Sequence, residues 1–281
     1  MINCSNVSKS FNEHRVLDNI SFDIPEGTIV GLLGPSGAGK TTLIKILTGQ
    51  LDFDAGNVDV MNKDVRKLKG TDKNRFGIMM DQFGLYERFT CAENLSVFAD
   101  VYGIPQSKVR ESLKSVGLEQ AAKTKASNLS KGMRARLLLA RAMMHDPKII
   151  FLDEPTSGLD PKSMKGIHEM ILEKKKDGST IFITTHNMEE AAKLCDDVML
   201  LNDGCIVEHG KPAELCRKYY RSKKVKVRLN DGSEQEFVQN GESAEVISEL
   251  MKEGRVETIH SDEPTLETVF LELTGKKLTE D

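Results

Sequence analysis

Lys40 and Thr41 close the run Gly34-Pro35-Ser36-Gly37-Ala38-Gly39-Lys40-Thr41, whose spacing of glycine, four residues, glycine, lysine and threonine is that of a phosphate-binding loop. Glycines there let successive backbone amides curl around phosphate oxygens, and the end of a following helix adds partial positive charge. Lys40 would neutralise the β- and γ-phosphates, and the Thr41 hydroxyl, with Thr42 beside it, would complete the nucleotide-binding set, Thr41 as a ligand of Mg²⁺. A second run, Ile149-Ile150-Phe151-Leu152-Asp153-Glu154-Pro155, is apolar and ends in adjacent carboxylates. One such group can hold Mg²⁺ through its water shell while the other orients or deprotonates an attacking water, and Asp153 is assigned to the metal and Glu154 to the water.

These side chains need elements that aim them. Thr28 to Leu33 reads as a buried strand and Lys40 to Leu47 has helical spacing, so the loop sits in the strand-loop-helix setting that its chemistry requires. The apolar run before Asp153 suits a strand buried on both faces of a parallel sheet, which would put Asp153 at the carboxyl edge, where open α/β folds place ligands. Ile181-Phe182-Ile183-Thr184-Thr185-His186 ends likewise in a polar residue. Ser130 stands at a plausible N-cap before the helical stretch Arg134 to Ala142.

With Leu129-Ser130-Lys131-Gly132-Met133 directly before that stretch, the chain resembles the ATPase subunits of ABC transporters, whose signature usually reads Leu-Ser-Gly-Gly-Gln. The resemblance implies that Ser130 and Gly132 touch the γ-phosphate held by a partner subunit. Lys131 and Met133 depart from the pattern: the lysine would either add positive charge near the partner's phosphates or point into solvent, and the methionine removes an amide contact. His186 looks like the family's switch histidine, which contacts the γ-phosphate and helps hold Glu154 and the water. Phe11 would be the platform stacking on adenine, the alternative being a core phenylalanine. Gln82 would sense Mg²⁺ and the water, and Ser157-Gly158-Leu159-Asp160 matches the loop that crosses the dimer interface. Implied are ATP and Mg²⁺ as ligands, a homo- or heterodimer of ATPase subunits, and docking on a separate membrane permease, with Phe83, Leu85, Tyr86, Phe89 and Leu95 as candidate contacts or plain core. The fold implied is α/β: a P-loop NTPase core with a parallel sheet, an antiparallel β part and a helical insertion over about 82–140.

Past residue 216 the pattern changes. A basic linker over 217–224 precedes strands Val225–Leu229 and Glu234–Val238, joined by the hairpin signal Asn230-Asp231-Gly232-Ser233. A helix from about Ser243, a strand from Val256 and a last helix from about Thr265 complete a small α+β domain over 225–281. Asp231, Glu234 and Glu236 lack calcium-loop spacing and read as surface. The ending Glu263 to Gly275 resembles the tail of ATPases from drug, antibiotic and antimicrobial-peptide exporters.

Thirty-nine basic residues against 43 acidic ones leave a net charge of −4, so no global field draws the chain to nucleic acid. Cys4, Cys91, Cys195, Cys205 and Cys216 show no paired metal-ligand spacing and read as reduced thiols. Neither a signal peptide nor an apolar stretch approaching the ~18 residues of a membrane span is present, which places the expected protein peripherally on the cytoplasmic side of the membrane. A soluble ATPase of translation or DNA repair is disfavoured, since the former carry two cassettes and the latter long coiled-coil insertions. A slow regulatory ATP-binding module is disfavoured by the presence of Glu154, Gln82 and His186.

Overall fold

The computed structural model describes residues 1–80, 84–219, 224–261 and 264–275. In chain order the elements are β1 (Ile2–Phe11), β2 (His14–Ile24), β3 (Ile29–Leu33), α1 (Lys40–Leu47), β4 (Ala55–Val60), β5 (Lys63–Asp64), α2 (Gly70–Lys73) and β6 (Phe76–Met79). They continue through α3 (Cys91–Tyr102), α4 (Ser107–Ser115), α5 (Lys131–Met143), β7 (Ile149–Asp153), α6 (Pro161–Lys176), β8 (Thr180–Thr185), α7 (Met188–Leu194), β9 (Asp197–Asn202) and β10 (Cys205–Gly210). Then follow α8 (Pro212–Lys218), β11 (Lys224–Leu229), β12 (Glu234–Val238), α9 (Gly241–Lys252), β13 (Val256–Ser261) and α10 (Leu266–Thr274).

Every residue of β3, β7 and β8 is buried, as central strands covered on both faces must be. They lie in a six-stranded sheet of order β10-β9-β3-β8-β7-β6, in which only the β10–β9 pairing is antiparallel. β8 therefore runs between β3 and β7, with Leu33 opposite Thr185 and Asp153 opposite Thr184. In β2, by contrast, Ile20, Phe22 and Ile24 are buried while the residues between them face solvent, the alternation of a half-covered antiparallel sheet. That sheet has the order β2-β1-β4-β5, and Phe22 stacks against Phe182 of the large sheet with ring centroids 6.3 Å apart.

The insertion is helical as its spacing implies. Thr90 opens α3 with a reciprocal cap: its hydroxyl accepts from the Glu93 amide, and Glu93 accepts from the Thr90 amide at 2.8 Å. Leu95, Val109, Leu113, Leu137 and Ala140 join α3, α4 and α5 in one apolar cluster. Leu95 is thus core and is withdrawn as a docking contact: its place on the inner face of α3 removes it from the surface.

The described chain divides into two compact units, Met1–Pro212 and one beginning at Ala213. In the second, β12-β11-β13 form an antiparallel sheet whose Val227 and Leu229 pack with Leu250 of α9. The turn Asn230–Ser233 joins β11 and β12, with Gly232 at φ 82°. Glu236 pairs with Lys224 and Lys226, and Asp231 accepts from the Ser233 hydroxyl, so these acids hold surface ion pairs and a turn. The basic run does not start as a linker: α8 carries it in helix through Lys218. Among the described residues, no helix is long and apolar enough to cross a membrane.

Candidate functional site

The carboxyl ends of β3, β8 and β7 lie side by side, and each hands the chain to a residue of the site. Residues 34–39 turn from β3 into α1, whose N-cap is Gly39 at φ 106°. A side chain there would be strained by the backbone and would meet the Val16 carbonyl 2.9 Å from its Cβ, so glycine is required twice over. No side chain caps α1, which leaves its first amides to the phosphate loop. Lys40 is only 6% exposed and donates to the carbonyls of Gly34 at 2.7 Å and Pro35 at 3.0 Å, curling back over the loop as a phosphate clamp must.

Asp153 is buried beside Thr41, whose hydroxyl donates to Asp153 Oδ2 at 2.7 Å, and Thr184 Oγ1 donates to Asp153 Oδ1. A hydroxyl and a carboxylate meeting at this distance form the hard-oxygen donor set that suits Mg²⁺, so the residues fit that ion. Gln82, the other expected metal sensor, lies outside the described residues, as does Phe83.

Glu154 follows at φ 46°, a left-handed backbone that costs a non-glycine residue about 1–3 kcal/mol. Its amide donates to the Thr184 carbonyl at 3.0 Å, which fixes the turn against β8. The carboxylate is shared between two partners: Oε1 lies 3.3 Å from Lys40 Nζ and Oε2 lies 2.8 Å from His186 Nδ1. Lys40 at the start of α1, Glu154 after β7 and His186 after β8 therefore form one row, joined by an ion pair and a hydrogen bond.

The same face holds a cavity of about 260 Å³, lined among others by Thr41, Asp153, Glu154, Ser157, Lys131 and Arg134. Lys131 is exposed and reaches this cavity rather than standing off from it. Ser130 caps α5 by accepting from the Met133 amide at 3.3 Å, and Met133 tucks against the helical cluster, which accounts for an apolar residue at that position. Gly132 has a reason within its own chain: an added Cβ would sit 2.9 Å from Ser163 Cβ, so α5 and the first turn of α6 approach too closely for any larger residue. Ser157, Gly158 and Leu159 form the turn before α6, which Asp160 caps by accepting from the Ser163 amide at 3.0 Å.

Phe11 ends β1 and is 45% exposed, with Lys9 Nζ 5.4 Å from its ring centroid. It is an exposed aromatic, not core. Tyr86 and Phe89 are also exposed, with rings 5.2 Å apart, and Asn94 holds their loop by accepting from the Tyr86 amide at 2.8 Å and donating to the Tyr86 and Phe89 carbonyls.

Residue spacing did not reveal three further parts. Arg134 forks onto Glu87 at 2.6 and 2.8 Å, tying α5 to the exposed Tyr86–Phe89 loop, yet along the chain it looks like one more surface arginine of a helix. Thr184 reads as a strand residue. Glu190, in Asn187-Met188-Glu189-Glu190, sits where a helix N-terminus often carries an acid, and that signal suggests a cap, not a buried site. Among the described residues, no cluster of three or more His, Cys, Asp or Glu could hold another metal ion, and the cysteines are free, with burial pushing the Cys4 thiol up to about 12.

Residues 17–157 match the protein family described as ABC transporter. A fluoroquinolones export ATP-binding protein of Mycobacterium tuberculosis is 40% identical over 92% of this chain and 88% of its own length. The linearmycin resistance ATP-binding protein of Bacillus subtilis is 30% identical over 99% of both chains. Among solved structures, an ATP-binding subunit of an ABC transporter superposes with a TM-score of 0.71 at 26% identity, covering 78% of this chain and 93% of the other. A dimeric ATP-binding cassette bound to ADP and phosphate in a post-hydrolysis state gives 0.68 at 28% identity, over 75% of this chain and 98% of that one.

Proposed function

Because this chain belongs to the ABC transporter family and is an ATP-binding export subunit of it, we propose that two copies of such a subunit hydrolyse Mg·ATP between them to power a separate membrane permease that expels a drug, antibiotic or antimicrobial peptide. The observation that carries this reading is the row Lys40–Glu154–His186, with contacts of 3.3 and 2.8 Å between the first residue of α1 and the residues that follow β7 and β8. The named relatives support the reading, one by its name in fluoroquinolone export and the other by its name in linearmycin resistance.

Phosphate oxygens entering the loop meet the free amides of α1 and take over Lys40, while Phe11 offers its exposed ring to the base. Thr41 and Asp153 would hold Mg²⁺, which when bound neutralises charge on the phosphate oxygens. Released from Lys40, Glu154 accepts a proton from the attacking water, with His186 steadying the carboxylate and donating toward the γ-phosphate. Ser130 and Gly132 of the partner close the other side, with Ser157 to Asp160 crossing the interface. Most of the rate comes from this positioning and from electrostatics, as phosphoryl transfer demands. Tyr86 and Phe89 are the exposed candidates for docking on the permease, with Leu85 half-buried behind them.

The test is whether ATP joins two chains. Glu154→Gln with Mg·ATP should elute as a dimer by size exclusion and return to monomer when ATP is removed. A variant that stays monomeric at saturating ATP, alone and with the co-purified permease, would overturn the shared-site reading.

A further inference from the structure

Glu190 is a carboxylate only 2% exposed, lying behind the Glu154–His186 pair and unused by the hydrolytic scheme above. Its Oε1 accepts from Thr156 Oγ1 at 2.6 Å and from His168 Nε2 at 3.0 Å, and its Oε2 accepts from Thr185 Oγ1 at 2.8 Å. Each partner belongs to a different element. Thr156 lies two residues past Glu154, Thr185 directly precedes His186, and His168 comes from α6, the helix that the interface turn leads into.

The side chain does not do what its place in α7 suggests. As the third residue of that helix it could cap the Asn187 amide, but that amide donates to Thr185 Oγ1 at 3.0 Å, and the Glu190 carboxylate turns inward instead. Thr185 Oγ1 thereby donates to Glu190 and accepts from Asn187, bracketing His186 on both sides. The Glu154 turn is bracketed too: its amide is held by Thr184, and the hydroxyl of Thr156 is held by Glu190. Glu154 needs such support, since its left-handed backbone persists only where the surroundings over-determine it. A buried carboxylate likewise needs full hydrogen bonding and a countercharge, and His168, when protonated, supplies the latter.

We propose that Glu190 is a positioning residue that clamps the Glu154 turn to the His186 loop, with Thr156 and Thr185 as its two arms and His168 as a third hydrogen-bond partner. The clamp holds the carboxylate and the imidazole at their 2.8 Å separation and so acts through Glu154. It rests on the roles proposed above for Glu154 and His186.

The decisive pair of variants is Thr156→Val, which keeps shape but lacks the hydroxyl, and Thr156→Ser, which keeps the hydroxyl. Thr156→Val should lower kcat roughly 10-fold with KM for ATP little changed, because a misplaced group costs rate more than binding. Thr156→Ser should restore kcat to within about twofold, and Glu190→Gln should lose at least as much as the valine variant. Combined with Glu154→Gln, Thr156→Val should cost nothing further in single-turnover hydrolysis and should leave ATP-driven dimerisation intact. Folded Thr156→Val and Glu190→Gln proteins with parental kcat would overturn the clamp, as would a serine variant as slow as the valine one, or additive losses in the Glu154→Gln background. Parental hydrolysis by Glu154→Gln alone would instead remove the assignment on which the clamp rests.

Discussion

Lys40 Nζ lies 3.3 Å from Glu154 Oε1, so the cation of the phosphate loop and the carboxylate assigned to the water hold each other directly. On the roles proposed above, phosphate entering the loop competes with Glu154 for Lys40, and the same exchange frees the carboxylate to face the water. In that proposal, binding and activation of the base are linked through one ammonium group.

Replacing Glu154 by glutamine removes both the proposed base and the partner of Lys40. Hydrolysis should fall by roughly 10²–10⁴-fold, the range expected when a general base is lost. ATP affinity, measured by equilibrium titration, should stay the same or tighten, because Lys40 no longer answers to a carboxylate. Weaker binding would mean that the Lys40–Glu154 pair does not compete with phosphate.

Lys40→Ala should weaken Mg·ATP binding by about 10–10²-fold, as expected for loss of a charge-assisted contact, and reduce turnover to background. It also leaves Glu154 without its cation. Unchanged affinity would remove Lys40 from the cradle.

Phe11→Ala should raise KM for ATP about two- to tenfold with little change in kcat, the worth of one stacked aromatic. Since stacking is tolerant of base identity, GTP should suffer equally. A loss confined to kcat would place Phe11 away from the base.

The trans role proposed for Ser130 requires two chains. Ser130→Arg should abolish ATP-driven dimerisation through its bulk at the start of α5, whereas Lys131→Gly, at an exposed position, should alter hydrolysis only modestly. Mixing Ser130→Arg chains with Lys40→Ala chains builds one intact composite site per mixed dimer and should recover part of the activity. Full activity of Ser130→Arg as a monomer would contradict a shared site.

Acid should unlock the buried carboxylate. Burial alone pushes the Glu190 carboxyl up, but the hydrogen bonds from His168, Thr156 and Thr185 outweigh it and leave the group below its ordinary 4.5. A depressed folded value contributes stability above the unfolded one and loses it as pH falls through the folded one. The gap in Tm between the parent and Glu190→Gln should therefore be present above a pH of about 4.5 and shrink as pH drops below it. A constant gap across that window would show that the ionised form brings no stability.

Residue order alone identified the phosphate loop, the Asp153-Glu154 strand end, the Ser130 cap and the Asn230–Ser233 hairpin turn, and it did so for one reason. Loops, caps and tight turns are built from neighbours along the chain, so spacing and residue type carry them. Leu95 shows where that stops: as an apolar helix residue in the docking neighbourhood it had two readings, and only the packing of α3 on α5 chose the core. Strand order was equally hidden. No local signal says that β8 lies between β3 and β7, yet that order alone brings Lys40, Glu154 and His186 into one row. Glu190 and Arg134 escaped notice because a charged side chain on an amphipathic helix usually faces water, and whether it meets Thr156 or Glu87 depends on pairings distant in the chain. The tertiary fold decided these contacts because burying such groups is favourable only where non-local partners satisfy every hydrogen bond at once.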